Sequence, residues 1–343
     1  MCTSRKGFVS VLGTAGLVAL VAALATILGT VPADAQQRTP ISIKVGRTVG
    51  GSGFHIPSYV AVEKGQFLEE GLKATLIAME GGALVKANIA KEIDFQPIVA
   101  GGSQALLAGA PLIYIVGEST ISQWTITTTP DIKKVEDLKG KVLGLGRPGS
   151  ADYEELVITL QKFFKMEPGK DYKVIAFRGE PDRVAALLKG SIQGAALSFP
   201  HAARAEIEGF KILVKTGEYI PRLGGTFMTH RDYVTQRRDL VKAFIKAIAK
   251  SIDYIRTNKA GTCEVIQKYF GIDDRRVVES IYTLLHDKYS PEIPHNLLLQ
   301  LFQSRAIPEL GWPAGKPLPD IEQFVARSVL NEALGELGKK PSK

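Results

Sequence analysis

The chain has 343 residues, 45% of them hydrophobic and 23% charged, with a formal net charge of +8. That length suits two or three domains and that composition a real core, which excludes a wholly disordered chain. The positive excess is modest and comes without a dense Lys/Arg run or interleaved aromatics, which argues against nucleic-acid binding and favours anions or an anionic membrane surface nearby.

In chain order, Arg5 and Lys6 form a short basic segment, and an uncharged apolar stretch runs from Phe8 to Leu28. Val31-Pro32-Ala33-Asp34-Ala35 follows as a small-residue cleavage site. This pattern predicts a cleaved secretory signal over residues 1–35. The apolar run could also span a bilayer, but the cleavage site and the helix-breaking Pro32 sit where a signal peptidase acts. Cys2 precedes the apolar run, so it is not a lipoprotein anchor. Arg5, Lys6 and Asp34 are the only charges in the segment, so its removal lowers the net charge by one.

The mature part alternates strand and helix signals. Strands are expected over 41–45, 72–78, 93–96, 113–117 and 124–128, with helices over 57–64, 83–91 and 103–108. A second block repeats the recipe: strands over 142–145, 173–177, 195–198 and 212–215, and helices over 152–164, 182–189 and 201–208. Ala90 to Phe95 and Leu188 to Gln193 echo each other, each placing a helix end and a tight turn before a short buried strand. Two similar α/β lobes are the economical reading. From about Arg231 the pattern turns helical, over 240–255, 263–270, 275–285, 297–307 and 321–337, with Pro-rich separators.

Cys263 would be the one cysteine left after cleavage, so no intrachain disulfide is expected. The five histidines show no ligand spacing, so neither a metal nor a cofactor is expected. No G-x-S-x-G, no nucleophile with an evident base and no paired carboxylates stand in the candidate loops.

The informative segments are those between a strand and the next helix, where open α/β sheets bind ligands and helix N-termini present free N–H groups. The first, Gly50-Gly51-Ser52-Gly53-Phe54-His55-Ile56-Pro57, puts Pro57 in the first helical turn, and Gly51 and Gly53 permit close backbone approach. The second holds Gly82. The third includes Gly102 and Ser103, where Ser103 either caps the helix or meets a ligand. The fourth, Gly144-Leu145-Gly146-Arg147-Pro148-Gly149, matches the dinucleotide fingerprint. The acid expected ~20 residues beyond it is replaced by Arg178, which argues against a nucleotide. The same physics still offers an anion site to Arg147 and the start of the helix near Ser150. Arg178 either faces the cleft or pairs with Glu180. Phe199 and His201, in the sixth loop, could line a pocket.

Several stretches resemble one family. Ala61-Val62-Glu63-Lys64-Gly65-Gln66-Phe67, continuing to Gly71-Leu72, is similar to the A-x-x-K-G-x-F-x-x-x-G-L segment of periplasmic solute-binding proteins of ABC importers. The branch is the nitrate, sulfonate, taurine and thiamine-pyrimidine group. Ile93-Asp94-Phe95, Ala108-Gly109-Ala110-Pro111-Leu112 and Val135-Glu136-Asp137-Leu138-Lys139-Gly140-Lys141-Val142 resemble further motifs of that group, in its order. The resemblance implies a type II-like, two-lobed α/β fold with a helical C-terminal region. Lobe 1 would span 36–123 plus 226–343 and lobe 2 would span 124–225. Two hinge crossovers would lie near 122–127 and 223–229. It implies a periplasmic, monomeric, non-enzymatic protein that closes on a small-molecule ligand and meets a membrane permease. Lys91 and Gln193 depart from the family pattern.

The ligand contacts expected from these loops are Gly51, Gly53, Phe54, His55, Gly82, Gly102, Ser103, Arg147, Ser150, Arg178, Phe199 and His201. Two rivals stay open: an enzyme of the pyrimidine-precursor synthase type, whose cysteine cluster this chain lacks, and a sensory binding subunit.

Overall fold

In the computed structural model, residues 39–97, 100–220 and 223–342 are described. The expected signal segment, 1–35, lies outside them. Short β-branched and apolar runs ended by Gly or polar turns form two five-stranded sheets. The first takes strands β1 (Ile41–Thr48), β2 (Leu72–Met79), β3 (Phe95–Gln96), β4 (Leu112–Ser119) and β10 (Gly225–His230), in the order β2-β1-β3-β10-β4. The second takes β5 (Trp124–Thr128), β6 (Val142–Leu145), β7 (Lys173–Ala176), β8 (Gly194–Ser198) and β9 (Lys211–Lys215), in the order β7-β6-β8-β5-β9. In each sheet three parallel strands are followed by an antiparallel one. That antiparallel strand, β10 or β5, is the one entering from the other sheet. The chain passes between the sheets twice, from β4 to β5 and from β9 to β10, so the molecule is a two-lobed α/β protein.

Each parallel strand feeds a helix. In lobe 1 these are α1 (Ile56–Glu63), with α2 (Gln66–Glu69) after it, α3 (Gly81–Ile89) and α4 (Ala100–Leu107). In lobe 2 they are α5 (Ala151–Phe164), α6 (Glu180–Leu188) and α7 (Phe199–Ile207). The C-terminal region adds α8 (Arg231–Gln236), α9 (Arg238–Thr257), α10 (Lys259–Phe270), α11 (Arg275–Leu285), α12 (His295–Gln303) and α13 (Arg327–Glu336). The long α9 presents an apolar stripe, from Leu240 to Ile255, to the first sheet. Its opposite face puts Arg238, Lys242, Lys246 and Lys250 at four-residue spacing against Glu332 and Glu336 of α13 and Glu69 and Glu70. No helix among the described residues is long and apolar enough to cross a membrane.

Several local bounds shift, the helices expected over 263–270 and 297–307 running Lys259–Phe270 and His295–Gln303, and three further shifts have a visible cause. The helix expected from Ser103 begins at Ala100, which places Ser103 inside α4 rather than at its cap. The strand expected from Ile93 begins at Phe95, because the Asn88 side chain donates to the Ile93 and Asp94 carbonyls and holds them in a turn. The single helix expected over 321–337 is broken. Val325 is extended and bridges Tyr114 of β4, and the Ala326 N–H donates to the Tyr114 carbonyl at 2.8 Å, so α13 starts only at Arg327.

Candidate functional site

The carboxyl ends of β1, β2 and β3 face those of β6, β7 and β8 across a cleft, and a cavity of about 500 Å³ lies between them. Five of the six strand-to-helix loops reach its wall. Three helices of nine residues or more, α3, α5 and α6, begin at it, with Gly82, Ala151 and Glu180 in their first turns. Their unpaired first-turn N–H groups give the cavity a positive local field. Phe54 from lobe 1 and Trp124 from lobe 2 form an apolar wall, ring centroids 5.8 Å apart, and Phe177 adds to it.

His55 ends the first loop and is buried. Its Nε2 accepts the Thr48 N–H at 3.1 Å and lies 2.8 Å from Thr48 Oγ1. Nδ1 therefore carries the ring proton, and it has no partner among the described residues. Burial, helped by the charge of Arg47, lowers the His55 pKa to about 3, so the ring is neutral.

On the lobe 2 side a buried polar brace shapes the fourth and fifth loops. Asp152 Oδ2 takes the Gly146 N–H at 2.7 Å and pairs with Arg183 Nη1 at 2.6 Å. Arg183 also donates to the Ala196 carbonyl at 2.6 Å. A Cβ at Gly146 would collide with Ser150 Oγ and Asp152. The glycine-rich loop is thus folded onto its own carboxylate, which already holds the Gly146 N–H. In the neighbouring loop the Glu180 carboxyl accepts the Ser198 N–H at 2.5 Å and the Ser198 hydroxyl at 3.1 Å. Burial pushes this carboxyl above the usual carboxylate range, partly offset by His201, Arg183 and Ser198. At the rim, Glu80 lies between two arginines of lobe 2, with Arg178 Nε 3.0 Å from Oε1 and Arg147 Nη1 3.6 Å from Oε2.

Six of the twelve expected contacts line the cavity: Phe54, His55, Gly82, Arg147, Ser150 and Arg178. The other six serve the frame around it. His201 Nε2 donates to the Gly51 carbonyl at 3.2 Å, tying α7 to the first loop. Gly53 lies so close to the Gln123 side chain that a Cβ there would collide with it. Gly102 packs on Met228 Sδ in the same way, and Ser103 is buried inside α4. Phe199 joins the large core of lobe 1. Arg178 pairs with Glu80 across the cleft; its proposed Glu180 partner is engaged with Ser198 instead. Sequence reasoning passed over Glu80, Trp124, Asp152, Glu180 and Arg183 as wall residues. A signal existed for Glu80, which sits just ahead of Gly81-Gly82 where a strand gives way to a helix. None marked Trp124, which reaches the cavity from a crossover strand.

The fold and the cleft define a two-lobed α/β protein with a ligand-sized cavity between its lobes. The chain belongs to the NMT1/THI5-like family, whose model matches residues 53–260. It is similar to YtlA of Bacillus subtilis (strain 168), whose own binding function is a provisional assignment. The two are 27% identical over 280 residues, covering 75% of this chain and 80% of YtlA. Among solved structures, it resembles the periplasmic nitrate-binding protein NrtA of Synechocystis PCC 6803. That match has a TM-score of 0.72 and 15% identity, over 89% of this chain and 92% of NrtA. It also resembles the periplasmic aliphatic sulphonate-binding protein SsuA of Escherichia coli, with a TM-score of 0.65 and 20% identity, over 85% and 99%. The desulfurization enzyme DSZB shares the fold too, with a TM-score of 0.62 and 14% identity, over 87% and 99%. At such identities the fold is what these structures share.

Proposed function

We propose that this protein is the substrate-binding component of an ABC importer. It would be secreted to the periplasm after cleavage of residues 1–35, and would act as a monomer. Lobe 1 (36–123 and 226–343) and lobe 2 (124–225) close on a small anionic organic solute, a sulfonate, carboxylate or similar group. The closed form is then presented to a membrane permease.

The observation that carries this reading is the cleft itself. Three helix N-termini and the rim arginines Arg147 and Arg178 supply a field for an anion, and Phe54, Trp124 and Phe177 supply apolar area for its body. A cavity of about 500 Å³ lies in the range that takes drug-sized molecules, well beyond the needs of nitrate. The two imidazoles beside the cleft each hold backbone through Nε2, His55 at Thr48 and His201 at the Gly51 carbonyl, and His55 is neutral with only an Nδ1 donor to offer. That disposition favours binding over turnover.

The test is a melting scan of refolded, solute-free protein against sulfonates, carboxylates, nitrate, pyrimidines and neutral analogues. A ligand at 100 times its Kd adds about 2.7 kcal/mol of stability, a readily seen shift. Anions of one organic class should raise Tm, and Arg147→Ala with Arg178→Ala should weaken them about tenfold or more relative to a neutral analogue, as the loss of charge-assisted hydrogen bonds implies. Shifts with uncharged solutes alone, or unchanged anion affinity in the double variant, would overturn the anion assignment.

A further inference from the structure

Glu80 is the N-cap residue of α3, with extended backbone angles of φ −65° and ψ 146°, yet its side chain makes no capping hydrogen bond to its own helix. An acidic side chain at this position ordinarily folds back onto the free N–H groups. Here it reaches across the cleft instead, and each of its oxygens meets a different arginine. Arg147 comes from the loop after β6, and Arg178 from the loop after β7. One residue of lobe 1 thus gathers two separate loops of lobe 2.

The position of this contact gives it leverage. Glu80 immediately follows β2 and Arg178 closely follows β7, and these are the outer edge strands of the two sheets. The crossovers join the sheets at the opposite side, through β4 and β10 in one and β5 and β9 in the other. The ion pairs therefore sit at the lip farthest from the hinge, where opening moves the lobes apart most. They are also the kind of contact that forms and breaks readily. The Glu80 side chain is 28% exposed, and Arg147 and Arg178 are 69% and 73% exposed. Exposed pairs are individually weak and screened by salt. A further inter-lobe ion pair, Arg305 with Glu154, is fully buried, and α12, just before Arg305, also touches the second crossover, where the Leu223 N–H donates to the Leu297 carbonyl. That pair has the character of a fixed brace beside the hinge.

We propose that Glu80 is the closure latch of the cleft, holding Arg147 and Arg178 across the lip so that the lobes stay shut. The proposal rests on the solute-binding reading, and it gives the two arginines a second task beside attracting an anion. It differs from the simpler possibility that Glu80 only repels anions, because the two predict opposite effects of neutralising it.

The test needs no solute. Spin labels at Lys73 on β2 and Lys173 on β7, both exposed, in a Cys2→Ser, Cys263→Ser background, report the distance between the far edges of the lobes. In the otherwise unchanged protein the short-distance population should dominate at low salt and shrink at about 1 M, where the Debye length is about 3 Å. Glu80→Gln should shift the ratio of closed to open about three- to tenfold toward open and remove most of the salt dependence, as loss of two exposed pairs implies. Glu80→Arg with Arg147→Glu and Arg178→Glu should restore closure and its salt sensitivity. An unchanged or more closed population in Glu80→Gln, or a charge swap that stays open, would overturn the latch. Since no ligand enters this experiment, its failure leaves the anion reading to the melting scan, and failure of the scan leaves the latch standing.

Discussion

The two lobes share one strand plan and hold it together differently. Order β2-β1-β3-β10-β4 in one and β7-β6-β8-β5-β9 in the other place each strand in an equivalent slot, the incoming crossover strand always fourth. In lobe 1 one large apolar cluster runs from β1 and β4 through α9, α11, α12 and α13, and even takes in Phe199 and Ala203 of α7, while a small one gathers Leu84, Ala87 and Ile93. In lobe 2 the sheet separates two small clusters. β8 shows the division: Ala196 faces one, and Ala195 and Leu197 the other, with the period of two that a strand imposes. The smaller lobe compensates with buried charge, notably Asp152 with Arg183 and Glu180 with Ser198, placed at the cavity wall. Apolar area is concentrated where the C-terminal helices add it. Polar precision is concentrated where a ligand would be oriented.

Three measurements would sharpen or break this contrast. The largest effect should come from Phe244→Ala on α9. Phe244 stacks on Phe95 at 3.8 Å and touches Phe67 and Phe227 at 5.5 and 5.1 Å. Its removal should cost about 3–5 kcal/mol in urea unfolding; a loss below about 1 kcal/mol would show that the aromatic centre of lobe 1 is not its keystone.

Asp152→Ala should come next, at about 3 kcal/mol, because it leaves Arg183 buried and unpaired. Adding Arg183→Met should recover most of that loss. If the double variant is no better than the single, the brace is holding backbone through Gly146 rather than neutralising a charge.

The smallest effect should be opposite in sign. Glu118, fully buried at the end of β4 beside the first crossover, has neither carboxyl oxygen hydrogen-bonded among the described residues, and burial raises its pKa well above the usual carboxylate value. The folded state then holds a proton that the unfolded state gives up near pH 4.3, roughly the free-Glu pKa. Stability is fully present below that pH and declines as pH rises toward the folded-state pKa. Glu118→Gln, neutral throughout, should lack this slope and melt higher than the unaltered protein at pH 7. Parallel Tm profiles from pH 5 to 8 would show that Glu118 is solvated or paired in solution.

Local patterns carried much of the fold. Val142–Leu145, Trp124–Thr128 and Arg275–Leu285 have the bounds their apolar spacing predicts, because strand and helix periods are properties of neighbouring residues. Where expectation and structure part, a distant partner intervenes. Gly101-Gly102 looks like a loop, but Gly102 is demanded by Met228 of β10, and the chain is already helical there. Val325 leaves its helix to bridge Tyr114, some two hundred positions earlier in the chain, roughly as tertiary context overrides propensity elsewhere.

The candidate site shows the same division. The chain by itself determined which segments could meet a ligand, since a strand that turns through glycine into a helix exposes N–H groups wherever it occurs. Only the tertiary structure decided which residues of those segments face the cavity. Phe54 and Arg147 do so while Phe199 and His201 turn to bind the lobes together, because that choice depends on strand order and on how one lobe lies against the other. Glu80 and Arg178 stand 98 residues apart in sequence and 3.0 Å apart in space, a closeness set by the crossovers and by no local pattern.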